Sequence, residues 1–283
     1  MGIKFRFKVK RIKTKYWRIH TDYLQEIVDS ISKIIKEGDM LVVSEKAISV
    51  AQGNIVDESI ITPGASASFL AKFWMRVLWG YLFGVSCRLK RQTIERIRNY
   101  PVNLGARHKQ LALIKVGFLQ ALRFGSEGGI DVSNLPQSYS CLPLRDPTSE
   151  AKKIFKCILM ETGKNVTVLI VDSDKTYSFR GLHLSPTRTN VEGIHCKGGF
   201  ILYLLGRFFK FRPRSTPKAI FPLGTLTIEE ALDLSESVHH LRGCGAGKTV
   251  WDMAEKFNVG LTKVTWAMLD SIEHYPIVIL RRS

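Results

Sequence analysis

Two loops that combine acidic and small polar residues carry the clearest chemistry in this sequence. The first, residues 128–136, reads Gly-Gly-Ile-Asp-Val-Ser-Asn-Leu-Pro and contains Asp131 and Asn134. The second follows the apolar run 166–171 and places Asp172 next to Ser173. A carboxylate at the end of a buried strand, followed by a hydroxyl group, is a common way to hold Mg²⁺ or Mn²⁺. Because Asp, Ser and Asn also favour turns, each loop taken alone is more simply explained as a connection.

A glycine-rich segment at residues 243–249, Gly-Cys-Gly-Ala-Gly-Lys-Thr, is similar to a phosphate-binding P-loop. The P-loop pattern requires glycine at position 242, where this chain has Arg242. It also requires a preceding strand, whereas Thr227 and Glu230 form the capping-box pattern of a helix that ends near residue 242. We therefore predict no P-loop. The segment is either a turn between two helices or a different kind of loop near phosphate, with Lys248 beginning the next helix.

The histidines and cysteines predict neither a metal centre nor a covalent nucleophile. The five cysteines are widely spaced and form no C-x-x-C pair. His239 and His240 are adjacent, so on a helix their side chains diverge by about 100° and cannot bind one metal ion together. Catalytic residues therefore remain unassigned. Reduced cysteines and a basic start without the apolar block of a signal peptide predict a soluble, cytoplasmic protein.

The composition predicts a folded, strongly basic protein. With 283 residues, of which 45% are hydrophobic and 24% charged, the chain can bury a sizeable core. This excludes a disordered chain, a collagen-like repeat and a small disulfide scaffold. The formal charge is +17, and residues 1–125 carry 22 Lys and Arg against 9 Asp and Glu. Such an excess favours an anionic partner, either nucleic acid or a membrane surface, although the basic start of the chain is explained better as a protected edge strand.

The segment 67–86 is the most apolar part of the chain and is rich in aromatic residues. Lys72 and Arg76 lie inside it, and a charge at the centre of a spanning helix costs about 2.5–3.5 kcal/mol on insertion. We therefore predict a buried or partly interfacial helix.

Hydrophobic periodicity predicts an α+β fold. Predicted helices cover residues 22–36, 88–98, 107–124, 227–242, 250–257 and 261–271. Predicted strands cover residues 40–43, 166–171 and 277–280, with a polar turn at 172–180 and a basic loop at 207–218. These elements do not follow a regular β-α-β rhythm, and this irregular order indicates α+β.

Read in order, three segments resemble the coenzyme F420-0:L-glutamate ligases, or gamma-glutamyl ligases. Residues 38–53, Gly-Asp-Met-Leu-Val-Val-Ser-Glu-Lys-Ala-Ile-Ser-Val-Ala-Gln-Gly, are similar to the family's opening motif. Residues 129–136 are similar to its G-I-D-x-S-N-V-P loop, and residues 169–173 to its I-I-S-D-(S/T) strand end. The resemblance implies one family unit over 1–283 with a mixed, two-lobed fold. Residues 64–124 match poorly and form a basic helical insert.

The family adds L-glutamate to a phospholactyl-flavin through a γ-linked amide, using GTP, divalent cations and an acyl-phosphate intermediate. The resemblance therefore implies Mg²⁺ or Mn²⁺ as cofactor, GTP as co-substrate, an acidic small-molecule substrate and a homodimer. By matched positions, the implied metal ligands are Asp131, Asp172 and Ser173. The implied nucleotide-binding residues are Lys46, Asn134, Gly243, Gly245 and Lys248.

The chain also departs from the family pattern. Val50 stands where the family has a second lysine, Gln52 where it has glutamate, and Cys244 where a glutamine contacts metal. Thiol sulfur is a soft ligand that suits Mg²⁺ poorly. An alternative hypothesis is therefore a catalytically altered relative that binds a nucleotide, nucleic acid or an anionic membrane surface.

Overall fold

The computed structural model describes residues 7–282. The strands are β1 (Phe7–Thr14), β2 (Met40–Ser44), β3 (Ile55–Asp57), β4 (Tyr139–Cys141), β5 (Thr167–Phe179), β6 (Leu182–Leu184), β7 (Ile194–His195), β8 (Arg212–Phe221) and β9 (His274–Arg282). The helices are α1 (Tyr23–Ile31), α2 (Glu45–Ala51), α3 (Ala65–Phe69), α4 (Gly84–Ser86), α5 (Arg91–Arg98), α6 (Val102–Lys115), α7 (Phe118–Ala121), α8 (Pro147–Thr162), α9 (Phe200–Phe208), α10 (Ile228–Arg242), α11 (Val250–Phe257) and α12 (Trp266–Asp270). A π-helix, Leu70–Phe83, joins α3 to α4, and we call the continuous helix 65–86 the aromatic helix.

Seven of these strands form one mixed sheet in the order β1-β9-β2-β5-β6-β7, with β8 also paired to β5. The central pair, β2 and β5, is parallel, whereas β9 and β8 run antiparallel to their neighbours in this sheet. Successive residues of β2 point to opposite faces. Leu41 and Val43 pack on one face with α1, α2 and α8, while Met40 and Val42 pack on the other with α10. The α+β prediction is confirmed.

The segment between β3 and β4 is helical and has a hydrophobic core of its own. Its buried residues, among them Met75, Trp79 and Leu111, pack with Phe200 and Tyr203 of α9 and with Tyr177 near the end of β5. No helix within residues 7–282 is long and apolar enough to cross a membrane.

Two predicted connections are wrong. The polar segment 172–180 is not a turn, because β5 continues to Phe179. The segment 207–218 is not a loop, because most of it forms β8. In both segments, buried polar side chains have partners in the sheet and on α10: Thr176 bonds Thr216, and Arg214 Nη1 pairs with acidic residues of α10. The sequence patterns could not show these partners. The predicted basic strand at 4–10 is seen from Phe7 onward, and its earlier residues lie outside the described part of the chain.

Candidate active site

The carboxyl ends of β2 and β5 meet at one edge of the sheet. The two strands are parallel, and their last paired residues are Ser44 and Val171. Glu45 and Lys46 follow directly at the start of α2, and Asp172 follows Val171. In open sheets with parallel strands, ligands bind beyond the carboxyl ends of the strands. This edge therefore brings together residues that are far apart in the sequence.

Two irregularities in the β5–β8 pairing direct additional charged groups to the same edge. Ile170 pairs with Ala219 and Val171 with Pro217, so Lys218 is an extra residue in β8. A second register shift lies between Asp172 and Lys175 on β5. Such bulges change the direction of side chains and are frequent beside active sites. Lys218 consequently reaches the end of β2 and β5.

The Lys218 ammonium group lies among three carboxylates. Its Nζ atom is 3.4 Å from Glu45 Oε2 and 3.3 Å from Asp172 Oδ2, and it donates to the carbonyl oxygen of Arg188 at 3.0 Å. Lys218 is 1% exposed. Burial by itself would lower its pKa, but Glu45, Asp172 and Asp174 outweigh burial and raise the pKa. Lys218 therefore supplies a permanent positive charge.

Two carboxyl groups of this cluster titrate near neutral pH. Burial and the neighbouring Asp172 raise the pKa of Glu45 to about 7, against the opposing effect of Lys218. Burial and Asp172 also raise the pKa of Asp174 to about 6, against Arg123 and Lys218. The cluster thus holds several acidic groups but carries less negative charge than their number suggests.

Lys46 and Asp131, predicted for different roles, form an ion pair. Lys46 Nζ lies 2.9 Å from Asp131 Oδ2 and 3.2 Å from Ser133 Oγ, and it also contacts the Ser133 carbonyl oxygen. Asp131 Oδ1 accepts a hydrogen bond of 2.7 Å from the Ser133 amide, which fixes the turn. The Asp131 backbone pairs with Cys141 of β4. These contacts hold the first acidic loop against α2.

Asn134 joins the acidic loop to the glycine-rich segment. Its Oδ1 accepts from the Ala246 amide at 2.7 Å, and its Nδ2 donates to the Gly247 carbonyl at 2.9 Å. Gly245 has a φ of +60°, and a Cβ there would lie 2.5 Å from Asn134 Oδ1. Glycine at 245 is therefore required by the close approach of Asn134. The segment follows α10 and not a strand, as the sequence predicted.

The helical segment contributes Arg123 to the site. Arg123 is buried, donates from Nη1 to the Ser126 carbonyl at 2.8 Å, and lies with its guanidinium 5.4 Å from the Tyr203 ring centre. Within the described residues, its Nε atom is buried without a hydrogen-bond partner. Arg123 Nη1 also lies 3.7 Å from Asp174 Oδ2, so the guanidinium group sits beside the acidic edge of the sheet.

A buried ionic network fixes the position of Arg123. His108 Nδ1 lies 2.6 Å from Glu58 and its Nε2 lies 2.9 Å from Glu127, so both nitrogens donate only when the ring is protonated. The two carboxylates outweigh burial and raise the His108 pKa to about 10. Lys109 Nζ donates to the carbonyl oxygen of Arg123 at 2.6 Å. The network thereby ties the segment around Arg123 to α6.

All eight predicted site residues line one cavity of about 680 Å³. They are Lys46, Asp131, Asn134, Asp172, Ser173, Gly243, Gly245 and Lys248. Arg123 lines the same cavity, and an apolar wall is supplied by Leu89, Leu104, Phe124 and Trp251. Clefts of this size, with an apolar wall and a few convergent polar groups, are typical of small-molecule sites.

The carboxylates at the cavity do not form a complete metal site by themselves. No group of three or more His, Cys, Asp or Glu within residues 7–282 is arranged to hold a metal ion. Asp131 and Asp172 face the cavity, and each is paired with a lysine. Mg²⁺ is usually held by one or two carboxylates, phosphate oxygens and water. The two aspartates suit that arrangement and not a preformed metal centre.

The sequence did not indicate four charged residues. Arg123 and Asp174 line the cavity, and Glu45 and Lys218 are buried in the charge cluster around Asp172. Glu45 and Asp174 lie one or two positions from residues that were predicted, so the motifs contained a signal for them. Lys218 reaches the site only through a bulge, and Arg123 only through the packing of the helical segment. Neither has a recognisable sequence pattern.

Two departures from the ligase pattern have clear surroundings. Val50 is buried against Leu135 and Cys141, so its position is part of a small apolar cluster. Cys244 is exposed at the cavity.

Comparison with known proteins gives consistent findings. A family model described as F420-0:Gamma-glutamyl ligase matches residues 11–194. An uncharacterized protein of Methanocaldococcus jannaschii is 30% identical, over 95% of this chain and 94% of its own. Two proteins named coenzyme F420:L-glutamate ligase also match. The one from M. jannaschii is 30% identical over 49% of each chain, and the one from Archaeoglobus fulgidus is 27% identical over 57% of each chain. The matched family region contains both acidic loops and ends before the glycine-rich segment.

Proposed function

Because this chain belongs to the F420-0:gamma-glutamyl ligase family, we propose that it joins L-glutamate to an acidic small molecule through a γ-linked amide. GTP supplies the free energy, and Mg²⁺ or Mn²⁺ accompanies the nucleotide. One observation supports this proposal most strongly: the Lys46–Asp131 ion pair and Asp172 line the same cavity. All three residues lie in the part of the chain that matches the family.

The proposed reaction has two steps. A carboxylate oxygen of the acceptor attacks the γ-phosphorus of GTP, and the bond from that phosphorus to GDP breaks, giving an acyl phosphate. The amine nitrogen of glutamate then attacks the acyl carbon, loses a proton, and releases inorganic phosphate. Phosphoryl transfer of this kind needs positioning and charge neutralisation, and it needs no covalent protein nucleophile.

The charged residues have distinct roles in this scheme. Lys46 contacts phosphate oxygens once the ligand is present, and Lys218 holds the acidic edge together. Arg123 lines the cavity and offers its positive charge to the acceptor carboxylate or to phosphate. Asp131 and Asp172 hold the divalent cation, which, when bound, neutralises phosphate charge.

The apolar wall favours an acceptor with a flat ring system. Leu104, Phe124 and Trp251 line the cavity together with the cationic Arg123. A phospholactyl-flavin such as F420-0 combines an aromatic ring with acidic groups, so it is the acceptor we propose.

An isotope experiment tests this proposal. F420-0 labelled with ¹⁸O in its carboxylate is incubated with GTP, Mn²⁺ and L-glutamate. We expect mass spectrometry to detect an acceptor carrying an added glutamyl residue and ¹⁸O in the released phosphate, because the carboxylate oxygen leaves with phosphorus.

Asp172→Asn should lower the rate of glutamyl-product formation about 100-fold, because losing one transition-state contact typically has an effect of this size. Asp29→Asn is the matched control, because Asp29 is exposed on α1 and bonds only Gln25 among the described residues. Absence of a glutamyl product with F420-0 and with a panel of acidic flavins contradicts the proposal, as does equal activity in Asp172→Asn.

A further inference from the structure

The aromatic helix exposes an apolar face that the described residues leave uncovered. Six large apolar side chains on this helix are between 41% and 63% exposed. They are Phe69, Phe73, Val77, Tyr81, Leu82 and Val85. The opposite face is also apolar and packs into the helical core through residues such as Met75 and Trp79. A helix that is apolar on both faces is normally buried on both, so the outer face is suited to a further contact.

Helix α9 extends this apolar surface. Its Phe200 ring lies 5.4 Å from the Phe83 ring, and Arg207 Nε donates to the Cys87 carbonyl at 3.1 Å, so α9 packs beside the aromatic helix. Four large apolar side chains at α9 and its end are also exposed: Ile201, Leu205, Phe208 and Phe209. Two neighbouring helices therefore each expose a group of apolar side chains.

Positive charge accompanies the apolar surface. Residues 59–126 contain 11 Lys and Arg and one acidic residue, Glu95. Lys72 is exposed on the aromatic helix itself, and Arg88 and Lys90 are exposed directly beyond its end. Apolar side chains beside unbalanced cations are the combination with which interfacial helices bind anionic lipid.

We propose that the aromatic helix and α9 dock this protein onto the surface of an anionic lipid bilayer. The helix lies on the membrane and does not cross it. The apolar side chains enter the acyl boundary, and Lys72, Lys90 and their neighbours contact lipid phosphate groups. The proposal is independent of the ligase chemistry.

The charge distribution favours lipid over other occupants. In a two-fold interface with a second copy, the same patch lies on both subunits, so these cations would face each other without acidic partners. Nucleic acid would satisfy the cations but would leave aliphatic side chains such as Val77, Leu82 and Val85 in water. An anionic bilayer offers phosphate groups to the cations and an acyl region to the apolar side chains.

Flotation with lipid vesicles tests the proposal. The full chain is mixed with vesicles of phosphatidylcholine alone, or of equal amounts of phosphatidylcholine and phosphatidylglycerol. We expect flotation with the anionic vesicles only, weakening as salt is added because ions screen the contact.

Two double variants separate the apolar and electrostatic contributions. Phe69→Ser with Phe73→Ser removes two exposed rings that stack on each other, and Lys72→Glu with Lys90→Glu reverses two charges. Each should lower vesicle partitioning at least about tenfold, since one basic residue near such a surface contributes about 1 kcal/mol. The matched controls, Met160→Ser with Leu223→Ser and Lys152→Glu with Lys156→Glu, alter exposed residues elsewhere and should float like the parent.

Three results overturn the proposal. The first is no flotation with anionic vesicles at low salt. The second is equal flotation of the parent and the Phe69→Ser, Phe73→Ser variant. The third is that the parent forms a dimer or a nucleic-acid complex but does not bind vesicles, and that Phe69→Ser with Phe73→Ser disrupts this dimer or complex. Circular dichroism melting verifies that each variant is folded.

Discussion

Lys218 supplies a buried positive charge to the acidic edge of the sheet beside the cavity. It is buried among Glu45, Asp172 and Asp174, where a metal ion is often the balancing charge in other proteins. The sequence indicated Asp172 because a carboxylate after an apolar run is a recognisable pattern. It could not indicate Lys218, whose position depends on a one-residue irregularity between β5 and β8.

Replacing Lys218 with methionine should destabilise the protein by about 3–5 kcal/mol, because carboxylates would remain buried without their counter-charge. Urea denaturation measures this loss. Millimolar Mn²⁺ without nucleotide should then stabilise Lys218→Met more than the parent, since a divalent cation can replace the missing ammonium group. Adding Glu45→Gln to the variant should restore part of the stability by removing one unpaired charge.

Lys152→Met serves as the control for this substitution, because Lys152 is exposed on α8 and its loss should change stability by less than about 0.5 kcal/mol. If Lys218→Met is as stable as this control, Lys218 does not hold the acidic edge together.

At the scale of elements, α10, the glycine-rich segment and α11 form a unit that Asn134 attaches to the acidic loop. The capping box at Thr227 and the end of α10 were readable from the sequence, because both depend on local residue types. The full length of β5 was not, since its polar residues are satisfied by β8 and α10. The length of β5 therefore depends on contacts between residues that are far apart in the sequence.

Gly245→Ala should weaken nucleotide binding about tenfold, equal to about 1.4 kcal/mol. The added Cβ would collide with Asn134 Oδ1 and displace the loop that lines the cavity. Gly224→Ala is the control, because Gly224 has a φ of +78° and no atom within 4 Å of its added Cβ. Both variants place alanine at a positive φ and so share that backbone strain. The difference between their nucleotide affinities, measured by calorimetric titration, therefore reports the collision with Asn134. Equal nucleotide affinity in the two variants would show that the loop does not shape the site.

At the scale of the molecule, the cavity lies where two separately packed parts meet. The end of β5 and the start of α2 supply Asp172 and Lys46, while the segment between β3 and β4 supplies Asp131, Arg123 and most of the apolar wall. The sequence predicted the α+β class and both acidic loops because hydrophobic periodicity and motifs are local. It did not predict that the basic helices close one side of the site, since that depends on tertiary packing of the helical core.

The most direct test of the central claim is calorimetric titration with GTP and with ATP, each with and without Mn²⁺. Two carboxylates that line the cavity without a preformed metal centre predict that Mn²⁺ alone binds weakly. Nucleotide and Mn²⁺ together should bind tightly, and Asp131→Asn should abolish the gain. Tight binding of Mn²⁺ alone, or nucleotide binding that neither the metal nor Asp131→Asn changes, would contradict this account of the site.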